Sequence, residues 1–422
     1  MRYKGELQYA ARALRGYFST NLPISATVRR DFRLDLLGAL IYGAFNGSVV
    51  GYLYVVARTI GVSQTGISLL MAMSAVGAIL ALPASLLPRT GNGGRRFLFV
   101  TWGLGRAVIF LVLISSAPSL YVLCISVFLI SASVAMPFYA QILQHIYPRE
   151  FRGQLMSLVR VGSGAATTVS SLLTAWLLGS GLIGFQALFA VGSVLSVISL
   201  AVFTRVTPVR PPPRPRQSMR DTFRLLGVNK PFARYQVWVF LMGAGNIMSA
   251  TLYPLVIVDK LHAGYGPFGV LTVITALGYL SSFLIWGRVI DRRGPVFTIM
   301  LVGVCILTFP LGMLAAPSVY WLAPVMFING MANAGFEIGP FAAVMHYSLA
   351  TPAEVPRYMA LHSILAGTRG LICPFLATFI LAGHLYGTAL ITGFSFSAAG
   401  TFMLWRLSRR EASSSAQAEG PS

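Results

Sequence analysis

An all-α integral membrane fold, with twelve transmembrane helices in two six-helix pseudo-repeats, is what this chain of 422 residues predicts. Three observations lead there. Hydrophobic residues make up 56% of the chain and charged residues only 10%, a balance that no water-soluble globule of this size needs. Apolar runs of about 20 residues, the length that crosses a bilayer as a helix, recur between short polar gaps. Finally, short patterns in the first half return in the second at offsets of 199 to 204 residues, as a duplicated unit would give.

In chain order, residues 1–34 form a basic arm without the apolar core and cleavage site of a removable signal peptide. Six spans follow near 35–57, 65–87, 97–117, 119–146, 154–179 and 182–204, making an N-terminal bundle over 35–204. Residues 205–235 form a Pro/Arg-rich linker. It holds a polyproline stretch, stiff and extended, and then an amphipathic piece from Met219 to Leu226. Six more spans lie near 236–258, 268–290, 296–316, 319–345, 358–383 and 387–405, making a C-terminal bundle over 236–405 with a tail over 406–422. The tightest hairpins fall at Ser180-Gly181 and His384 to Tyr386.

Charge orients the bundle. Of 32 Lys and Arg, 27 fall in the two terminal segments and the alternate gaps on their side, while the opposite gaps hold only Arg58 and Lys260. Positive charge stays on the cytoplasmic side, so both termini and the linker are expected in the cytoplasm and the chain in the cytoplasmic (inner) membrane. The net charge of +21 is therefore loop charge and not a nucleic-acid footprint. Cys124, Cys305 and Cys373 all sit within apolar runs, so neither a disulfide framework nor a metal or cofactor site is expected.

The repeat is visible in residues. Gly43-Ala44-Phe45-Asn46 returns as Gly243-Ala244-Gly245-Asn246, each followed by Leu-Tyr, and Pro148-x-Glu150 returns as Pro352-x-Glu354. Gly287-Arg288-Val289-Ile290-Asp291-Arg292-Arg293-Gly294, between the eighth and ninth spans, has a first-half copy ending Pro88-Arg89-x-Gly91. This Gly-x-x-x-Asp-Arg-x-Gly order resembles the signature loop of the major facilitator superfamily. The resemblance covers essentially the whole chain. It implies two bundles rocking around a central cavity lined by helices one, four, seven and ten. Gly287, Asp291, Arg292, Arg293 and Gly294 would then form a cytoplasmic latch. Proline in place of the acid at Pro88 departs from the pattern and weakens any latch there. So does helix five, whose Gly162-Ser163-Gly164 lacks the Gly-Pro pair frequent in family antiporters.

An ionisable group buried in a span costs about 2.5–3.5 kcal/mol on insertion scales, so each one needs a reason. Arg106, Arg160, Glu337 and Arg369 are those expected inside spans. Asn329, Asn333 and Glu337 recur every four residues and share one helix face. His362 and Arg369 share a face of the next helix. Glu337 and Arg369 lie about 12 and 17 Å deep at 1.5 Å per residue, so an ion pair between them is expected, either static or a proton-operated switch. Arg160 either snorkels or faces the cavity. Asn46 and Asn246 occupy matching places in the two halves, with Tyr42, Tyr253, Gln141 and His145 also placed for a cavity.

These residues suit a monomeric secondary transporter that moves a small organic solute by alternating access, coupled to protons or another ion, with a surplus of arginine that favours an anion. Two other readings stay open: an exporter of lipophilic compounds, and a transporter-like receptor or assembly factor that moves nothing. A phosphate-binding Gly-x-x-x-x-Gly-Lys-Ser/Thr loop is absent from the sequence, and no metal cluster, paired carboxylates or nucleophile with a base appears, which argues against ATP-driven pumping by this chain and against an enzyme.

Overall fold

In the computed structural model, residues 24–86, 93–148, 151–207, 219–348, 355–383 and 386–418 are described. The amphipathic arm up to residue 23, the proline copy of the signature loop, the polyproline stretch, the Pro352 repeat and His384 lie outside them. Twelve long helical units follow one another. In the first half, α1 runs Ala26–Ser48 and continues through a 3₁₀ turn to Leu53–Thr59. Then come α2 (Gln64–Leu86), α3 (Gly93–Val108), α4 in two pieces (Pro118–Val134 and Met136–Ile146), α5 (Arg152–Gly179) and α6 (Phe185–Phe203). In the second half they are α7 (Lys230–Leu255), α8 (Tyr265–Arg293), α9 (Pro295–Ala315), α10 (Leu322–Tyr347), α11 (Val355–Gly383) and α12 (Tyr386–Ala418). A linker helix, Met219–Val228, precedes α7 and buries Leu225. No strand occurs among the described residues.

Eleven of these units are long and apolar enough to cross a membrane. The twelfth, α10, is 26 residues long but carries Asn329, Asn333 and Glu337. A helix that spends apolar positions on such groups turns them to the bundle interior or to a water-filled space. The outer surface is apolar: Phe379 is 78% exposed and Val169 68%, which only lipid can accommodate.

Within the first half, α1 lies against α5 and α6. A Cβ on Gly47 would stand 2.2 Å from the carbonyl oxygen of Thr167, so only glycine lets the two backbones approach this closely. Hydroxyl groups complete the seam, with Ser170 Oγ donating to the Ala44 carbonyl at 2.6 Å and Ser199 Oγ to the Gly38 carbonyl at 2.7 Å. The second half repeats the plan, α7 packing on α11 and α12, with Ser397 Oγ donating to the Met242 carbonyl at 3.0 Å. The halves meet through α2 on α11 and α5 on α8.

Buried side chains show how the halves close. One apolar cluster draws on both, joining Tyr52, Leu53, Val56 and Leu70 to Leu252, Leu255, Phe268 and Ala377 at the end far from the termini. Toward the terminal end there are two separate clusters. Leu98, Ile142 and Phe203 belong to the first half, and Phe232, Ile299 and Leu361 to the second. The molecule is thus sealed at the far end, and its halves part toward the termini.

Candidate functional site

Helical geometry is interrupted in three of the spans. In α4, Pro137 follows the break at Ala135; it has no N–H to donate and its ring crowds the preceding turn. In α1 the break follows Ser48. In α7 a π segment, Val256–Lys260, follows Pro254, a local widening that recurs at functional sites.

Inside the first half, α1, α3, α4, α5 and α6 enclose a cavity of about 390 Å³. Its polar wall carries Asp35, Asn46, Arg106 and Arg160, and its aromatic wall Tyr42, Trp102, Tyr139 and Phe203. The rings of Trp102 and Tyr139 lie 5.3 Å apart, as do those of Tyr139 and Phe203. Arg106 is 6% exposed and has no carboxylate partner among the described residues. Its Nη1 donates to the Ser196 carbonyl at 2.7 Å, and its guanidinium lies 4.8 Å from the Tyr42 ring and 5.0 Å from that of Trp102. Backbone and ring faces thus hold the charge in place. Arg160, in contrast, leaves 67% of its side chain exposed to the space between the halves.

Glu337 sits opposite, on α10. Tyr279 of α8 donates its hydroxyl hydrogen to Glu337 Oε2, and Arg160 Nη1 of the first half stands 3.9 Å from Oε1. The acid therefore faces Arg160, and the expected Glu337–Arg369 pair does not form. Arg369 is turned the other way, into α7. It is 5% exposed, its Nη1 donates to the Val239 carbonyl at 2.9 Å, and its guanidinium lies 5.5 Å from the Phe336 ring. Its Nε has no partner among the described residues. A Cβ on Gly243 would stand 2.0 Å from Nη1, so the repeated glycine in α7 makes room for this side chain. His362 Nδ1 shares a hydrogen bond of 3.0 Å with Gln236 Oε1 of α7.

The other expected residues divide. Asn46 joins Arg160 in the first-half cavity. Asn333 is exposed next to Glu337 on α10, while Asn329 and Asn246 are half-buried. His362 and Arg369 form a separate group with α7. In the signature loop Asp291, Arg292 and Arg293 are exposed. Gly294 takes φ +81°, a left-handed value that lets the chain turn directly from α8 into α9.

Two features lay beyond the sequence reading. Asp35 is 3% exposed and accepts a hydrogen bond of 2.5 Å from Tyr147 Oη, 112 residues later. The first helix begins at Ala26, capped by Ser25, and not at 35, so Asp31 and Asp35 lie within it. A latch also closes the far end. Arg58 Nε contacts both carboxylate oxygens of Asp259, at 2.8 and 2.9 Å, and Tyr386 Oη donates to Asp259 at 2.9 Å. Lys260 Nζ donates nearby to the Met313 and Leu314 carbonyls at 3.0 and 3.1 Å.

Among solved structures the fold is similar to the nucleoside transporter NupG. An aspartate-to-alanine mutant of it matches with TM-score 0.69 at 14% identity, covering 90% of this chain and 98% of that one. Unmutated NupG matches with TM-score 0.65 at 13% identity, over 91% and 98%. A bacterial homolog of the human lysosomal transporter Spinster, inward-facing and unoccupied, matches with TM-score 0.60 at 12% identity, over 92% and 98%. At these identities the likeness is one of fold. No curated protein matches the chain in sequence. The family model of the Major Facilitator Superfamily matches twice in succession, over residues 36–248 and 237–422. With twelve helices, two repeats and a match that runs through both halves, the chain is a multi-pass membrane protein that belongs to the Major Facilitator Superfamily of transporters.

Proposed function

We propose that the protein is a proton-coupled secondary transporter of a small organic anion, working by alternating access. The observation that carries this reading is the approach of Arg160 to Glu337 at 3.9 Å, one residue from each half, beside a cavity with a second arginine. When Glu337 is ionised, it engages Arg160 across the two halves and holds the described conformation. Protonating it leaves the guanidinium free to hold an anionic solute group by charge-assisted hydrogen bonds. Exchange of these two partners ties proton movement to solute movement. The aromatic wall of Tyr42, Trp102 and Tyr139 adds stacking faces for a ring-bearing solute, and one fold neighbour bears the name of a nucleoside transporter. On the charge asymmetry of the sequence, the termini lie in the cytoplasm and the described conformation faces inward.

A test uses purified protein in vesicles and a panel of aromatic carboxylates, nucleosides and nucleoside monophosphates. An anionic member is expected to raise the melting temperature and, when added outside, to move protons across the vesicle membrane. Glu337→Gln should keep the thermal shift and lose the proton movement. Proton movement undiminished in that variant would overturn the coupling role.

A further inference from the structure

Asp35 is the buried group that this scheme leaves unused. It lies on α1 in the wall of the same cavity as Arg160, so Arg160 has a carboxylate on its own half as well as Glu337 on the other. Among the described residues no cation reaches Asp35 at ion-pair distance. The hydrogen bond it accepts among the described residues comes from the Tyr147 hydroxyl, at 2.5 Å. An ionised carboxylate removed from water and held by a single neutral donor is costly, and membrane-embedded acids in that position serve proton or ion pathways.

The surroundings of Asp35 limit what else could hold its charge. From α4 the facing titratable groups are Tyr139 and Tyr147, and from α5 Arg160. From α6 the cavity wall offers Ser199, Leu200 and Phe203, none charged. On α1 itself Asp31, one turn earlier, is occupied by the Thr207 backbone N–H at 3.2 Å. Arg95 of α3 is committed to the Thr204 and Val206 carbonyls. Arg106 of α3, in the same cavity wall, is committed to the Ser196 carbonyl and the Tyr42 and Trp102 rings, so among the described residues Arg160 is the cavity-wall cation left able to reorient toward Asp35.

We propose that Asp35 is a second protonatable carboxyl of the transport cycle and that Arg160 alternates between Asp35 and Glu337. This inference rests on the transporter reading given above and deepens it. In the described conformation Arg160 leans to Glu337, and Asp35 carries the proton, with Tyr147 fixing its orientation. When Glu337 is neutralised, Arg160 swings to Asp35. Asp35 then releases its proton from its own oxygen to the water of the cavity. Asp35 and Tyr147 act together, the tyrosine as a positioning residue.

Infrared difference spectra of the full-length protein in vesicles, taken between acidic and alkaline buffer without any solute, test this directly. The wild type is expected to show, beside the band of Glu337, a protonated-carboxyl band that disappears in Asp35→Asn and persists in Glu337→Gln. The midpoint of that band should move in opposite directions in two variants. Arg160→Ala removes the counter-charge, and Glu337→Gln leaves Arg160 with no other carboxylate. Asp35→Glu keeps a carboxyl and should shift the band in frequency, which decides the assignment if the asparagine variant does not fold. A band unaltered by either Asp35 substitution, or no such band in the wild type, would overturn the proposal. Because no solute is involved, that result would leave solute-driven proton movement through Glu337 standing, whereas loss of the latter alone would remove the transporter reading.

Discussion

Arg369 shows how much of a buried residue's role its place in the sequence reveals. Its depth was legible, since each helical residue adds a fixed rise and the charge is expensive to insert. Its direction was not. Depth fixes a position along the axis, whereas rotation about it depends on which neighbour makes room, and Gly243 makes that room on α7. Glu337 of similar depth turns toward Tyr279 and Arg160 instead. Asp35 was missed for a different reason. In Arg29-Arg30-Asp31-Phe32-Arg33 charge density reads as a loop, and only the distant Tyr147 reveals the helix as buried there. At this scale one substitution is decisive. Gly243→Ala should push Arg369 from the Val239 carbonyl and leave buried polar groups unpaired, at about 1–3 kcal/mol. The thermal unfolding midpoint of the detergent-solubilised protein should fall; an unchanged midpoint would mean that Arg369 is not held there.

Helices carry the next level. The apolar periodicity and the recurrent Gly-Ala-x-x pattern made the twelve helices and their duplication readable, because each span must satisfy its backbone hydrogen bonds internally. The interruptions were less so, since the two pieces of α4 and the π segment after Pro254 depend on what packs beside them. That π segment carries Asp259 to Arg58, joining the far ends of α1 and α7. Side chains only 23% and 21% exposed make this contact stronger than a surface pair. Arg58→Ala should free the far end. Spin labels at Ser63→Cys and His262→Cys, on loops beside the latch, are expected to show a broader and longer distance distribution in that variant than in otherwise unaltered protein. Identical distributions would deny the latch its role.

Taken whole, the molecule has one shared apolar cluster at the far end and two separate clusters toward the termini. That asymmetry was not readable in the sequence, where both faces look equally apolar; it depends on which half each side chain meets. It makes the structure one member of a pair of states, related by a rocking of the halves about the Arg160–Glu337 contact. The measurement that tests this most directly follows two distances in the same vesicle preparation as pH is lowered. One joins spin labels at Thr204→Cys and Ser408→Cys on the terminal side, and the other joins Ser63→Cys and His262→Cys on the far side. Protonation of Glu337 should shorten the first while lengthening the second, and Glu337→Gln should show that shifted pair of distances at every pH. If the two distances change independently, or neither responds to pH, the halves do not rock about this contact and the coupling scheme is wrong.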